Sequence, residues 1–514
     1  MTQLSTLDLA IVALYILMMT VMGAWFTRKQ KDLRTYFVGG RNVGWFMVLI
    51  SIVATETSAV TFLSVPGLGY RPADPSKGIA AGDLTFLQLS FGYIVGRCVV
   101  AWFLIPQYMK GDLFSAYQVL QQRFNPTVQR VASVLFLITR TIADGLRIFL
   151  TALLLKYIGI SVGQAILVVG SVTIVYTYLG GMKAVLWTDL VQFVIKISGA
   201  ALAGIFVIYL LPGGFDEFIT VGEANHKFKL IELGFDPASD ANLWAGLFGG
   251  AVFSMASHGA DQLMVQRYLC AKSLTHARVA LVLSGFTIAI QFLLFLCVGI
   301  GIFALKDAGQ FDPGDAKLDS IFGLFIVTKL PTGVVGLLIA AVLAAAMSTL
   351  SSSLNSSSNA FVTDFYRPLR PGQSEASYVL VSRIMTVVWG IAQMTVAYVA
   401  FQSGGDESTV KRVLAVAGFT TGLLLGLFIL GSLRYRVASW AALGGLLCGF
   451  FAVLSVWLPA QFGPPILAWP WFAPVGTGTT VLVALALNAL FGTKHGPTPT
   501  PPDRSPQPRI DPAR

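Results

Sequence analysis

The densest polar run in the chain is LAAAMSTLSSSLNSSSN, residues 343–359, where Ser348, Thr349, Ser351, Ser352 and Ser353 follow three alanines in an apolar stretch. Ser348 stands three residues before Ser351 and four before Ser352, so on a helix the three share a face. Oxygen ligands without Cys or His suit a hard monovalent cation, whereas zinc wants Cys or His. Small residues and hydroxyls also glue neighbouring helices, and that packing role stays open at this point. A second cluster, SIVATETSAVTF, sets Glu56 among Thr55, Thr57, Ser58 and Thr61, with Pro66 and Gly67 just beyond. Hydroxyls and helix breakers in one apolar run predict a helix that unwinds inside a membrane and frees carbonyls for a cation; hydroxyls bonded back to their own helix are the alternative.

Ionisable side chains inside a membrane are costly and point to function. Arg140, Asp144 and Arg147 fall at i, i+4 and i+7, which lets one carboxylate pair with both cations, as an internal charge cluster. Arg97, near the end of its apolar run, is expected to snorkel towards the interface. Asp189, in WTDLVQ, can supply charge to a cation site beside the serines. Lys196 lies deep in its run, and the sequence assigns it no partner. The four cysteines, Cys98, Cys270, Cys297 and Cys448, form no CxxC pair, and the four histidines are too scattered for a metal site. No phosphate-loop, dinucleotide or HExxH motif appears, and no paired acid, base or nucleophile suggests an enzyme.

The elements that must carry these residues follow from composition. Of 514 residues, 55% are hydrophobic and 12% charged, about half the charge of a soluble domain. That excludes a soluble or a disordered chain. The net charge of +10 is spread in short clusters between apolar runs, so nucleic acid is not the expected partner and a lipid bilayer is. Runs long enough to span a bilayer fall near 7–26, 44–70, 79–109, 127–155, 160–180, 184–211, 241–266, 279–305, 332–363, 378–402, 410–433, 437–459 and 468–491, about thirteen in all. The first has no basic segment before it and reads as a retained helix. With the N-terminus outside, 21 of the 35 Lys and Arg fall on the inner side and 10 on the outer. The positive-inside rule therefore puts the C-terminus in the cytoplasm. The tail from residue 492 is rich in Pro and polar residues and is expected to be disordered.

Five segments resemble the solute:sodium symporter family, which includes carriers of glucose, proline, sialic acid, iodide and monocarboxylates. They are YFVGGRNVGW (36–45), SAVTFLSVPGLGY (58–70), YTYLGGMKAVLWTDLVQ (176–192), DQLMVQRYLCAKS (261–273) and AAAMSTLSSSLNS (344–356). The resemblance implies an all-α polytopic membrane protein with a LeuT-like core of two inverted five-helix repeats and broken first and sixth core helices. It divides the chain into an extra N-terminal helix and basic loop (1–43), a first repeat (44–211), a second repeat (212–433), two C-terminal helices (434–491) and the tail (492–514). It implies sodium-coupled import of a small solute by alternating access at the plasma membrane.

By the same resemblance the main sodium site takes the carbonyls of Ala54, Thr57 and Ala345 and the hydroxyls of Ser348 and Thr349. A second sodium site takes Asp189, Ser348, Ser351 and Ser352. Candidate substrate contacts are Thr55, Glu56, Thr61, Gln88, Ser254, Ser257, His258 and Gln291. The lysine of the sugar carriers is absent from 279–305; the aligned position is Ile288, which argues against a galactose-type site. Arg140 and Arg147 favour an anion. A proton-coupled carrier using Glu56 or Asp189 is the competing reading.

Overall fold

The computed structural model describes residues 4–26, 32–73, 81–111, 113–156, 160–403 and 409–492. The expected disordered tail lies, from residue 493 on, outside them. The described residues are almost all helical, with no strand; a single parallel bridge joins Val43 to Ala271. Helix α1 is Thr6–Phe26. The run expected at 44–70 is two helices, α2 (Trp45–Glu56) and α3 (Ala59–Tyr70), bent by 66° at the break between them. Then come α4 (Gln88–Phe103), α5 (Pro126–Lys156) and α6 (Val162–Leu210). The run expected at 241–266 is also interrupted: α7 (Gly250–Gly259) ends before Asp261, whose carboxylate caps α8 (Gln262–Cys270) by accepting from Leu263 N at 2.8 Å. The chain continues through α9 (Leu274–Asp307), α10 (Leu318–Lys329), α11 (Val334–Phe361), α12 (Glu375–Gln402), α13 (Thr409–Ser432), α14 (Ser439–Trp457) and α15 (Phe472–Phe491).

Each expected span has helix at its place. Among the described residues, eight helices are individually long and apolar enough to cross a membrane, nine with the bent pair α2–α3. Two of the expected spans, 160–180 and 184–211, are the two halves of the 49-residue α6. Gly181 turns it with φ +54° and ψ −160°, a left-handed backbone that glycine adopts freely.

Helix α11 carries the serine run and packs along α6, α1, α12 and α5. In its most apolar stretch 89% of the residues are buried, against 17% in α1, so its hydroxyls face protein rather than lipid. Its first turn has no cap of its own. Asp8 of α1 supplies one, its Oδ1 accepting from Gly333 N at 2.7 Å and Gly336 N at 2.8 Å. At the far end of α3, Lys227 is buried and donates to the carbonyls of Gly69, Tyr70 and Arg71 at 3.3, 3.2 and 2.8 Å. Its ammonium lies 3.8 Å from the centre of the Phe303 ring.

Several contacts between loops respect the alternation of the spans. At one end Arg41 reaches the carbonyls of Gly111 and Leu113, Leu33 N reaches Glu375, and Arg123 reaches Tyr435 O. At the other, Asp8 meets Gly333, Lys227 meets Arg71, and Asp240 meets Trp469.

Candidate functional site

The site is built where α2 ends and α3 begins. Ser58 N turns back to Glu56 O at 2.9 Å and leaves the helical ladder. Carbonyls at the break must then find other donors, because a buried unpaired carbonyl costs about 1–3 kcal/mol. Helix α11 supplies two hydroxyls. Ser348 Oγ donates to Ala54 O at 2.9 Å and lies 3.2 Å from Ala345 O. Thr349 Oγ1 donates to Thr55 O at 2.8 Å and lies 3.4 Å from Ala345 O. The residues expected at the main sodium site therefore do converge. They converge on a side chain that was left without a partner: Lys196 Nζ, from α6, lies 2.6 Å from Ala54 O, 3.1 Å from Thr57 O and 3.3 Å from Ser348 Oγ. Lys196 is fully buried.

Seven residues earlier on α6, Asp189 is buried too. Its Oδ2 accepts from Ser51 Oγ at 2.5 Å and lies 3.5 Å from Arg267 Nη2. Its Oδ1 is buried with no hydrogen-bond partner among the described residues. Of the hydroxyls expected beside it, Ser351 donates to Ser348 O at 3.2 Å and Ser352 lies 3.1 Å from Thr55 Oγ1. Arg267, in the segment DQLMVQRYLCAKS, is buried. It donates to Ser51, Thr55 and Ser352 and so ties α8 to α2 and α11.

Beside the break lies a chamber of about 140 Å³. Thr55, Glu56, Thr61, Ser257 and His258, five of the expected substrate contacts, line it, with Arg140, Arg147, Asp261 and Thr349. The other three lie outside the lining. Gln88 holds Glu232 N at 3.0 Å, Ser254 donates to Tyr93 O at 3.2 Å, and Gln291 accepts from Thr57 Oγ1 at 3.0 Å. Ile288 is buried in the core.

The charges around the chamber are paired, but not as spacing alone suggests. Asp144 bonds Arg147, while Arg140 stands 3.8 Å from it and pairs closely with Asp261 instead. Arg97 does not snorkel. It is fully buried, with Nη2 at 2.5 and 2.6 Å from the two oxygens of Glu56 and Nη1 at 2.6 Å from Ser284 Oγ. A buried guanidinium has a better partner in an adjacent carboxylate than in a distant interface. His258 bonds Ser257 Oγ through Nδ1 at 2.9 Å, and its Nε2 lies 3.6 Å from Glu56.

The profile of the sodium:solute symporter family matches residues 36–449. The sodium/sialic acid symporter SiaT of Proteus mirabilis (strain HI4320) is 29% identical, over 93% of this chain and 94% of its own. The sodium/sialic acid symporter NanT of Aliivibrio fischeri (strain ATCC 700601 / ES114) is 28% identical over 88% of each chain. The human sodium/iodide cotransporter is 27% identical over 89% of this chain and 70% of its own. Among solved structures, a substrate-bound, outward-open sodium-coupled sialic acid symporter superposes with a TM-score of 0.85 at 28% identity, covering 95% of this chain and 98% of that one. A closed nucleobase-cation symporter, Mhp1, shares the fold at a TM-score of 0.53, with 13% identity, covering 88% of this chain and 94% of that one.

Proposed function

As a member of the sodium:solute symporter family, this chain is a sodium-coupled membrane carrier and not an enzyme, and we propose that its solute is a small organic carboxylate. The observation that carries this reading is Arg147 in the chamber wall. Among the described residues its one carboxylate partner is Asp144, and its Nε is buried without a hydrogen-bond partner. A guanidinium with an unpaired donor can take a second carboxylate. The chamber has room for a small solute beside Arg147. The relatives carry sialic acid, iodide and monocarboxylates, all anions.

In this reading Asp189 binds the coupling sodium with Ser348, Ser351 and Ser352, because its Oδ1 is buried and unpaired. Ala54, Thr57, Ala345, Ser348 and Thr349 form the other cation site, at the break. Sodium binding favours the outward-open state only if it binds that state more tightly. Solute then closes the chamber, and rocking of the core opens it inward. The two repeats are 44–211 and 212–433, flanked by an added N-terminal helix and two C-terminal helices. The N-terminus lies outside the plasma membrane and the C-terminus in the cytoplasm, following the excess of Lys and Arg on one side.

The test is uptake of labelled pyruvate, acetate and galactose into proteoliposomes under an inward sodium gradient. The carboxylates should accumulate and galactose should not. Uptake driven by a pH gradient without sodium would favour proton coupling instead. That outcome runs against the geometry at Glu56, where Arg97 holds the carboxylate as an ion pair.

A further inference from the structure

We propose that the ε-ammonium of Lys196 is the resident cation of the site at the helix break, standing where the family reading puts a sodium ion, so that sodium enters this chain only at Asp189. The proposal rests on that reading for the identity of the site, and on the geometry for its occupant. An ammonium has three N–H donors, and Lys196 finds three acceptors: Ala54 O, Thr57 O and Ser348 Oγ. All three belong to the expected sodium ligands.

No carboxylate lies within 4.0 Å of Lys196 among the described residues, so its charge is not neutralised by a close ion pair. What faces it is the carbonyl end of α2, the negative end of a helix dipole. That end attracts any cation in reach. Lys196 reaches it from the interior of α6, so a helix sets its position rather than a loop. A side chain so buried, so placed and without a close carboxylate is difficult to explain as packing, since buried lysines are rare unless paired.

A sodium ion cannot enter this cup, because the ammonium nitrogen already fills the space between Ala54 O, Thr57 O and Ser348 Oγ at 2.6, 3.1 and 3.3 Å. Around it Thr349 donates to Thr55 O, and the hydroxyls of Ser348 and Thr349 lie 3.2 and 3.4 Å from Ala345 O. The tether therefore does continuously what a sodium ion does only while bound. It joins α6 to Ala54 of α2, to Thr57 in the break and to Ser348 of α11. The unpaired Asp189 Oδ1 remains for the coupling ion.

Equilibrium binding of radiolabelled sodium to the purified full chain counts the ions. The native chain should bind one, and Asp189→Asn should bind none. Lys196→Met should bind a second ion, and adding Thr349→Ala to Lys196→Met should remove it again. Two ions on the native chain would overturn the proposal. So would one ion that survives Asp189→Asn, or a folded Lys196→Met that binds no more than the native chain. Lys196→Gln serves as a second variant, and if both fail to fold the native count decides. No ion on the native chain but one gained on Lys196→Met would uphold the tethered cation while refuting sodium at Asp189, so the two readings fail separately.

Discussion

Nη2 of Arg97 lies 2.5 and 2.6 Å from the two carboxylate oxygens of Glu56, joining α4 to the last turn of α2 beside the chamber. Glu56 is the final residue of α2, so the pair sits at the break. Removing one partner of a buried pair costs about 3–5 kcal/mol. Arg97→Ala should therefore lower the unfolding midpoint in detergent strongly. The double variant Glu56→Gln/Arg97→Gln should recover part of the loss, since no charge is then left alone. Equal midpoints for Arg97→Ala and the double variant would show that the pair does not hold the break.

Arg147 gives a kinetic prediction. A hydrogen bond to a charged group contributes about 1.5–3 kcal/mol, which is roughly 10–100-fold in affinity. Arg147→Gln should raise KM for a carboxylate solute by about that factor. The sodium concentration for half-activation should move little. Uptake assays over a range of solute and sodium separate the two effects. A KM within twofold of native would move the anion handle elsewhere in the chamber.

The contact between α3 and α9 predicts a steric threshold. A Cβ at Gly299 would stand 1.9 Å from Pro66 O, with no flexible side chain to yield. Overpacking of this kind costs about 1–3 kcal/mol. Gly299→Ala should reduce expression and thermal stability. Gly204→Ala meets nothing closer than Val298 Cγ2 at 3.6 Å and should be tolerated. Melting curves of the two purified variants make the comparison.

Lys227 caps the other end of α3. Lys227→Met keeps much of the side chain's apolar contact but leaves the carbonyls of Gly69 and Tyr70 without their capping donor, while Arg71 O keeps Gly82 N at 2.7 Å. The expected cost is about 1–3 kcal/mol for orphaned acceptors. Amide exchange should accelerate in residues 67–71 and not at the break near Glu56. Unchanged exchange there would mean that water caps the helix equally well.

The sequence announced the break and the hydroxyl helix because both are written in side chains: Glu56 among threonines, and Ser348, Thr349, Ser351 and Ser352 on one face. It did not announce Lys196. Its acceptors are mainly backbone carbonyls, and carbonyls carry no residue-specific mark. They also lie 142 and 139 residues away in the chain. Arg267 was hidden for a related reason: four residues of ordinary helix separate Arg267 from Leu263 O, yet its other partners come from α2, α6 and α11. The pattern Arg140–Asp144–Arg147 was legible as a charge cluster, but its outside partner, Asp261, depends on how α5 meets the start of α8. Spacing along one helix reveals neighbours on that helix only.

The cap that Asp8 places on α11 has a consequence for biogenesis. Donor and acceptor are 325 and 328 residues apart. At synthesis rates of about 5–20 residues per second, Asp8 waits roughly 15–65 seconds before Gly333 leaves the ribosome. Helix α1 must therefore stay within reach while the chain between Asp8 and Gly333 is threaded past it. The hydroxyls that face the break gain their final register only when that wait ends, and competence to bind a cation is among the last properties the nascent chain acquires.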